Sequence, residues 1–260
     1  MSEQQAQLEK KDHIATITLN NPQTFNSMSQ ALLDDTLQLF CDAESDADVR
    51  VVIFTGAGKA FCAGADLPYV ETFANAGVTR RYMEGINGVT NAIVRMAKPV
   101  IAMVNGVAAG AGCNWVLACD IIYCARSARL AQSFARVGLI PDGGGTYFLT
   151  RAVGLHRAKE LAFTADVIDA QTAYQLGLVN KVFEDDQLRS ETLRFASKLA
   201  AGAPVAIGMM KKALNQNYYL DLQASQEIEI GMQLLCMETE DHKEGIAAFK
   251  EKRAPVFKGR

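Results

Sequence analysis

Residues 99–112 read PVIAMVNGVAAGAG, an apolar run followed by a turn built of small residues. The run from Val100 to Val104 is continuously apolar, which is typical of a strand buried on both faces of a parallel sheet. Glycine and alanine leave the backbone of residues 106–112 uncovered, so a ligand atom can approach its N–H groups closely. A helix-like run starts near Gly112, and its free N–H groups would point to the same place. The stretch therefore predicts a buried strand, an accessible backbone turn and a helix start.

The same region also has the length of a membrane span. Residues 99–119 contain no charged residue, and such a run can cross a bilayer. It includes Pro99, Asn105 and Asn114, however, and it divides into a strand-like half and a helix-like half. We interpret it as a buried strand–turn–helix unit and expect no membrane partner.

The overall composition is that of an ordinary globular protein with a sizeable core. The chain has 260 residues, 49% of them apolar and 21% charged, and a net charge of −3. The absence of a dense basic cluster argues against a nucleic-acid partner. The six cysteines form no CxxC pair and no secretory signal is recognised before them, which favours reduced thiols in the cytoplasm. The three histidines are far apart in sequence, so no metal site is expected.

Strand and helix patterns alternate in the first two thirds of the chain. A second continuous apolar run, Val51 to Thr55, ends at a Gly-Ala-Gly turn. A helix predicted from Arg80 to Met96 separates it from the Val100 to Val104 strand, which is the crossover that parallel strands need. Ser29 is a plausible N-cap for an earlier helix over residues 30–45. These elements predict an α/β fold.

The last third of the chain has a helical pattern. It extends from Gln187 to Arg253 and breaks at residues 202–204, where Pro204 suits the first turn of the next helix. We predict residues 1–200 as the core that contains the active site. Residues 201–260 would form a helical region of the same structural unit.

A second loop, residues 61–67, has the same small-residue composition as the 106–112 turn. Two such loops, each contributing one N–H group, would form an oxyanion hole that stabilises negative charge on a carbonyl oxygen. Alternatively, the small residues only allow a helix to pack tightly on a sheet. The glycine spacing matches neither a dinucleotide fingerprint nor a phosphate loop, because no GxGxxG order and no following lysine occur.

Asp142 is a candidate acid–base group. It follows Pro141 and precedes three glycines, after the largely apolar residues 137–140. Desolvation in such surroundings would raise its pKa toward neutrality, as proton transfer near pH 7 requires. The alternative is that Asp142 caps the helix that begins near Thr146 or accepts hydrogen bonds from turn N–H groups. The sequence leaves both interpretations open.

At these residues the chain resembles the crotonase superfamily, also called the enoyl-CoA hydratase/isomerase family. The resemblance covers nearly the whole chain. It implies a spiral of ββα units, with C-terminal helices for assembly into a homotrimer or a dimer of trimers. It also implies an acyl-CoA thioester substrate, with no cofactor beyond the coenzyme A of that substrate. The residues that carry the resemblance are 21–26, 59–67, 105–121, 138–141 and 244–249.

The resemblance also assigns roles to individual residues. It places the oxyanion-hole N–H groups on Ala65 and Ala111, and it makes Asp142 the catalytic acid–base group. The loop from Ala63 to Leu67 would line the adenine and pantetheine side of the substrate. The residues expected to contact substrate are Ala63, Asp66, Leu67, Gly110, Asn114 and Phe134.

The chain departs from the hydratase pattern at both catalytic glutamates. Asn114 stands at the first position and Phe134 at the second, whereas hydration needs one group to deprotonate water and another to deliver a proton. Asp142 is similar instead to the lone aspartate of the branch that includes 2-(1,2-epoxy-1,2-dihydrophenyl)acetyl-CoA isomerases. A single acid suffices to move a double bond, which favours an enoyl-CoA isomerase.

Other interpretations remain at this point. They are hydratase-like activity, another reaction of the superfamily such as thioester hydrolysis or dehalogenation, and acyl-CoA binding without catalysis. Asn114 either orients the substrate or stabilises the helix start. Phe134 and Trp115 either exclude water from the site or belong to the core.

Overall fold

A computed structural model describes residues 4–260 of the chain. Residues 1–3, which belong to the predicted core region, lie outside the described residues. The strands in this range are β1 (Ala6–Lys11), β2 (Ile14–Leu19), β3 (Val51–Gly56), β4 (Ala60–Cys62), β5 (Val100–Val104), β6 (Val107–Ala109), β7 (Ile121–Ala125), β8 (Arg129–Ala131), β9 (Val167–Asp169) and β10 (Lys181–Phe183). The helices are α1 (Gln30–Ser45), α2 (Leu67–Val70), α3 (Ala76–Arg95), α4 (Ala111–Ala118), α5 (Gly145–Thr164), α6 (Ala170–Gln175), α7 (Leu188–Ala200), α8 (Pro204–Asn217), α9 (Leu222–Met237) and α10 (Glu240–Glu251).

The larger sheet contains the strands with continuous apolar sequence. Its order is β1-β2-β3-β5-β7-β10, and all neighbours are parallel except β1 and β2. Every residue of β3 and β5 is buried, which confirms the prediction of two central parallel strands. The crossover helix between them, α3, begins at Ala76 rather than at Arg80. Ser29 caps α1 by accepting a hydrogen bond from the Leu32 N–H, as predicted.

A smaller sheet lies beside the larger one and was not predicted. Its order is β4-β6-β8-β9, and each of its strands has three residues. The chain contributes one strand to the larger sheet, then one to the smaller sheet, and then a helix. This succession occurs in β5–β6–α4 and β7–β8–α5, and in β3–β4–α3 with the short helix α2 inserted before α3. The architecture is therefore the expected α/β spiral of ββα units.

The charge-free run is part of this spiral. Residues 99–119 contain β5, β6 and α4, so the strand–turn–helix interpretation is confirmed. Over residues 4–260, no helix combines the length and the apolar character that a membrane crossing requires.

The helical last third begins at Leu188 and has more breaks than the sequence predicted. Besides the predicted interruption before Pro204, the chain turns between α8 and α9 and again between α9 and α10. A further kink lies inside α5 at Gly154, whose φ of 75° interrupts the helical geometry.

An ion pair between the buried Lys211 and the partly exposed Asp120 carboxylate fixes α8 to the core. The Lys211 Nζ lies 2.7 Å from Asp120 Oδ2 and also donates to the carbonyl oxygens of Ile93 and Lys98. Replacing Lys211 with Met should leave the Asp120 carboxylate without its charged partner. We expect a loss of about 3 kcal/mol in the free energy of unfolding, measured by denaturant titration. The exposed neighbour provides the control: Lys212→Met should change stability by less than about 0.5 kcal/mol. An equal effect of the two substitutions would contradict this role of the pair.

Candidate active site

The two predicted loops lie side by side because their strands pair in the smaller sheet. In the parallel register of β4 and β6, Cys62 is opposite Ala108. The loop that continues to Ala65 therefore lies next to the turn that leads to Ala111. A Cβ added at Gly64 would lie 2.8 Å from the carbonyl oxygen of Ala109 and 3.6 Å from the Ala111 nitrogen. This contact requires glycine, since any side chain would push the loops apart.

Both predicted N–H donors are available to a ligand. Among residues 4–260, no protein group accepts a hydrogen bond from the N–H of Ala65 or that of Ala111. Ala111 is the first residue of α4, where backbone N–H groups lack an intrahelical acceptor. Gly110, immediately before it, has φ 53° and ψ −129°, a conformation that L side chains rarely adopt. The two loops can therefore present a pair of N–H donors to one oxyanion.

Tight packing, the alternative explanation of the small residues, also occurs. A Cβ added at Gly112 would lie 2.4 Å from the carbonyl oxygen of Cys62. All eight residues of α4 are buried. The glycines thus have separate tasks: Gly112 allows the helix to approach β4, whereas Gly64 and Gly110 shape the loops around the N–H donors.

Asp142 occupies the turn before α5, and its carboxylate is half-buried. No residue of the described chain donates a hydrogen bond to its buried Oδ1 atom. Burial raises the pKa of Asp142 to about 6, with only its own backbone N–H acting in the opposite direction. The N-cap position of α5 belongs to Gly144, so the capping alternative is wrong. The arrangement suits a carboxylate that exchanges protons near neutral pH.

The apolar neighbours of Asp142 in sequence do not desolvate it. Val137, Leu139 and Ile140 are more than half exposed in the single chain. The turn packs instead against α3 and α4: a Cβ added at Gly143 would lie 3.1 Å from the Ile86 side chain and 3.7 Å from that of Asn114. Burial at this turn therefore depends on the tertiary packing of two helices.

Asn114 connects Asp142 to the helix that carries Ala111. Its Nδ2 donates to the main-chain carbonyl oxygen of Asp142 at 2.7 Å, and its Oδ1 accepts from Gln132 Nε2 at 2.8 Å. The side chain is fully buried. Both polar atoms are engaged by protein groups, which favours the structural role; contact between Asn114 and the substrate stays a prediction. Gln132 was not predicted; a polar residue just after β8, in a largely apolar segment, was the only signal.

The other predicted residues have different surroundings. Phe134 is buried, and its ring lies 3.8 Å from a Cβ added at Gly110, beside the Ala111 turn. Leu67 is half exposed and Ala63 is half-buried, so both can contact a ligand. The Asp66 carboxylate caps α2 by accepting from the Tyr69 N–H at 3.2 Å.

Trp115 belongs to the core, with its Nε1 donating to the carbonyl oxygen of Ile86 at 3.3 Å. Within the part of the chain that the structure describes, no group of three or more His, Cys, Asp or Glu residues could hold a metal ion.

Comparison with known proteins agrees with this geometry. The chain matches the family described as "Enoyl-CoA hydratase/isomerase" over residues 9–260. It is 38% identical to a short-chain-enoyl-CoA hydratase of Clostridium acetobutylicum, covering 95% of this chain and 94% of that protein. It is 35% identical to the 1,2-epoxyphenylacetyl-CoA isomerase of Escherichia coli K12, with coverage of 95% on both sides.

The fold comparison gives the same family. A crystal structure of an enoyl-CoA hydratase from Bacillus anthracis superimposes with a TM-score of 0.96 at 37% identity, covering 99% of this chain and all of that one. Among the relatives above and others of similar identity, hydratase names are more frequent than isomerase names. The matched family, the relatives and the shared fold together establish that this chain belongs to the enoyl-CoA hydratase/isomerase family of the crotonase superfamily.

Proposed function

We propose that this enzyme is an enoyl-CoA double-bond isomerase in which Asp142 is the acid–base group. The observation that supports this most is the half-buried Asp142 carboxylate, whose Oδ1 has no donor among residues 4–260, beside a site where Asn114 and Phe134 stand in place of the two hydratase glutamates. Asn114 is buried and bonded to the Asp142 turn, and Phe134 is apolar. Neither can deprotonate water or deliver a proton to carbon.

The chemistry that follows uses one carboxylate twice. The thioester oxygen of a β,γ-enoyl-CoA accepts hydrogen bonds from the N–H groups of Ala65 and Ala111. Asp142 removes a proton from the α-carbon, and the electron pair of that C–H bond delocalises into a dienolate whose charge is held by the two N–H groups. Protonated Asp142 then returns the proton to the γ-carbon, which yields the α,β-enoyl-CoA. No electron is gained or lost, and the reaction needs no cofactor beyond the coenzyme A of the substrate.

Four further residues support this cycle by their positions. The ring of Phe134 lies beside the Ala111 turn, where it would keep water away from the dienolate. The half-buried Ala63 and the half-exposed Leu67 would contact the coenzyme A portion. Asp66, fixed by its hydrogen bond to the Tyr69 N–H, would hold the shape of that loop.

Hydration is the second candidate, because many relatives are named hydratases. The two reactions give different products from the same substrates. We expect purified enzyme to convert 3-enoyl-CoA into 2-enoyl-CoA and to form no 3-hydroxyacyl-CoA from 2-enoyl-CoA, with linear or cyclic acyl groups. NMR in deuterated water would follow the migrating double bond and the label at carbon.

The same experiment separates the remaining alternatives. Accumulation of 3-hydroxyacyl-CoA at a rate comparable to isomerisation would contradict the proposal and favour a hydratase. Release of free coenzyme A would indicate thioester hydrolysis, and loss of halide from a halogenated acyl-CoA would indicate dehalogenation. Tight acyl-CoA binding without any turnover would indicate a non-catalytic member.

We also propose that the enzyme assembles as a homotrimer or a dimer of trimers through its C-terminal helices. No residue of α9 is buried in the single chain, although Ile230, Leu234 and Leu235 are apolar and more than half exposed. A groove of about 580 Å³ lies among α8, α9 and α10 and is lined mainly by apolar side chains. Such exposed apolar surface favours burial against another chain.

Size-exclusion chromatography with light scattering tests this assembly. We expect three or six times the mass of the chain for the wild type and a smaller species for Leu234→Asp, because a carboxylate would have to be buried in the interface. Lys11→Asp, at an exposed position of β1 away from α9, should leave the mass unchanged. A monomeric wild type would contradict the proposal.

We also propose a cytoplasmic location for the enzyme. The six cysteines are all free, which supports a reducing compartment.

A further inference from the structure

We propose that Gln132 and Asn114 form an amide relay that positions Asp142 relative to the Ala111 N–H group. Both are positioning residues, since Asn114 acts on the main chain of Asp142 and Gln132 acts on Asn114. The inference rests on the proposed isomerase function and explains how a single unpaired carboxylate is kept in place.

The relay connects the turn that carries the base to the helix that carries one oxyanion-hole donor. Ala111 begins α4, and Asn114 lies one helical turn further along. From there Asn114 Nδ2 reaches the carbonyl oxygen of Asp142 at 2.7 Å. Gln132 Nε2, from the segment after β8, holds Asn114 Oδ1 at 2.8 Å. A rigid helix therefore joins the N–H donor to the turn that carries the base.

The carbonyl oxygen of Asp142 determines how the side-chain amides of Asn114 and Gln132 are oriented. The carbonyl oxygen of Asp142 can only accept, so Asn114 must turn its NH₂ group toward it. Asn114 Oδ1 then faces Gln132, which must in turn present its own NH₂ group. Both side chains are at least nine-tenths buried, so water cannot substitute for either partner. Removing the Gln132 donor would free Asn114 to rotate and present its oxygen to the carbonyl.

The Asp142 turn needs this external support. The Gly145 N–H closes the turn on the Asp142 carbonyl oxygen at 2.8 Å, but between them lie Gly143 and Gly144, with φ of 57° and 85°, where the backbone lacks the restriction that side chains impose. Among residues 4–260, no group donates a hydrogen bond to Oδ1 of the carboxylate, so the position of the base depends on its main chain. A hydrogen bond from Thr90 Oγ1 to the Gly143 carbonyl at 3.2 Å gives a second attachment, from α3.

The relay also gives a physical reason for the lost hydratase glutamate. A carboxylate at position 114 has no proton to donate and would place negative charge near the carbonyl oxygen of Asp142. The packing is close as well, since a Cβ added at Gly145 would lie 2.3 Å from Asn114 Nδ2. The residue at position 114 therefore cannot both donate a hydrogen bond to the Asp142 turn and act as a hydratase glutamate.

A double-mutant cycle with Gln132→Met and Asn114→Ala tests the relay in the isomerase assay. Each single substitution should lower kcat at least about 10-fold with KM within about twofold, because the base is displaced while the coenzyme A contacts remain. The double variant should resemble Asn114→Ala alone, since Gln132 acts only through Asn114. The acid limb of the kcat/KM profile should move to lower pH in both single variants, because a displaced carboxylate gains water.

Asn180→Ala is the matched control. It removes a side-chain amide that accepts a hydrogen bond from the Ile122 N–H at 2.7 Å, in the larger sheet, and should leave kcat and the acid limb unchanged. Thermal unfolding and circular dichroism would show that all variants fold. An unchanged kcat in Gln132→Met, multiplicative losses in the double variant, or a kcat loss without movement of the acid limb would each overturn the relay.

Asp142→Asn in the same assay distinguishes failure of the relay from failure of the proposed isomerase function. If it abolishes turnover while the relay variants remain fully active, the relay is wrong and the proposed base stands. If it retains wild-type isomerisation, the proposed function and the relay both fall.

Discussion

Asp142→Asn should reduce isomerisation at least about 1,000-fold, because an amide of the same shape cannot accept the α-proton. Substrate binding should remain, since the N–H donors of Ala65 and Ala111 belong to the backbone of other segments. The measurements are kcat from product formation and Kd for a non-reactive acyl-CoA. For the wild type, kcat/KM should fall as the pH drops below about 6, where burial leaves Asp142 protonated and unable to act as a base.

The stability of Asp142→Asn relative to the wild type should depend on pH, and the raised pKa of Asp142 determines the direction of that dependence. Because the pKa of Asp142 is raised on folding to about 6, the folded state binds its proton more tightly than the unfolded state. The contribution of Asp142 to the free energy of unfolding should therefore decrease as the pH rises from about 4 to about 6. Asp142→Asn should be more stable than the wild type at pH 8, and this difference should vanish near pH 4. Undiminished isomerisation by a folded Asp142→Asn enzyme would show that the base lies elsewhere.

Gly64→Ala should cause the second large loss, about 100-fold in kcat. Gly64 has φ 92°, and an added Cβ would lie 2.8 Å from the Ala109 carbonyl oxygen. The loop must move away from β6, and the Ala65 N–H moves with it. Loss of one oxyanion donor costs on the order of 3 kcal/mol in the transition state, which corresponds to this rate factor. Steady-state kinetics with 3-enoyl-CoA would measure it.

Gly177→Ala is the control that distinguishes the steric clash expected in Gly64→Ala from the backbone strain of a positive φ. Gly177 has a similar φ of 81°, but its added Cβ would have only the Ala152 carbonyl oxygen nearby, at 3.9 Å. This variant should lose stability to the same kind of strain and keep its kcat. Equal kcat values for Gly64→Ala and the wild type would mean that the Ala65 N–H does not hold the oxyanion.

The sequence by itself determined the parts of the protein that depend on local pattern. Continuous apolar runs identified β3 and β5 as buried parallel strands, because both faces of such strands exclude water. Ser29 marked the start of α1, since an N-cap hydroxyl satisfies a free N–H within three residues. The raised pKa of Asp142 was also foreseen, although residues 137–140 were the wrong reason for it.

The tertiary structure alone decided the geometry of the site. Strands of three residues, such as β4 and β6, are too short for a recognisable period, and only their pairing brings Ala65 and Ala111 together. Gln132 and Asn114 are 18 residues apart in the chain, and Asn114 and Asp142 are 28 apart. No local pattern encodes such hydrogen bonds, because they exist only after the spiral has stacked one ββα unit on the next.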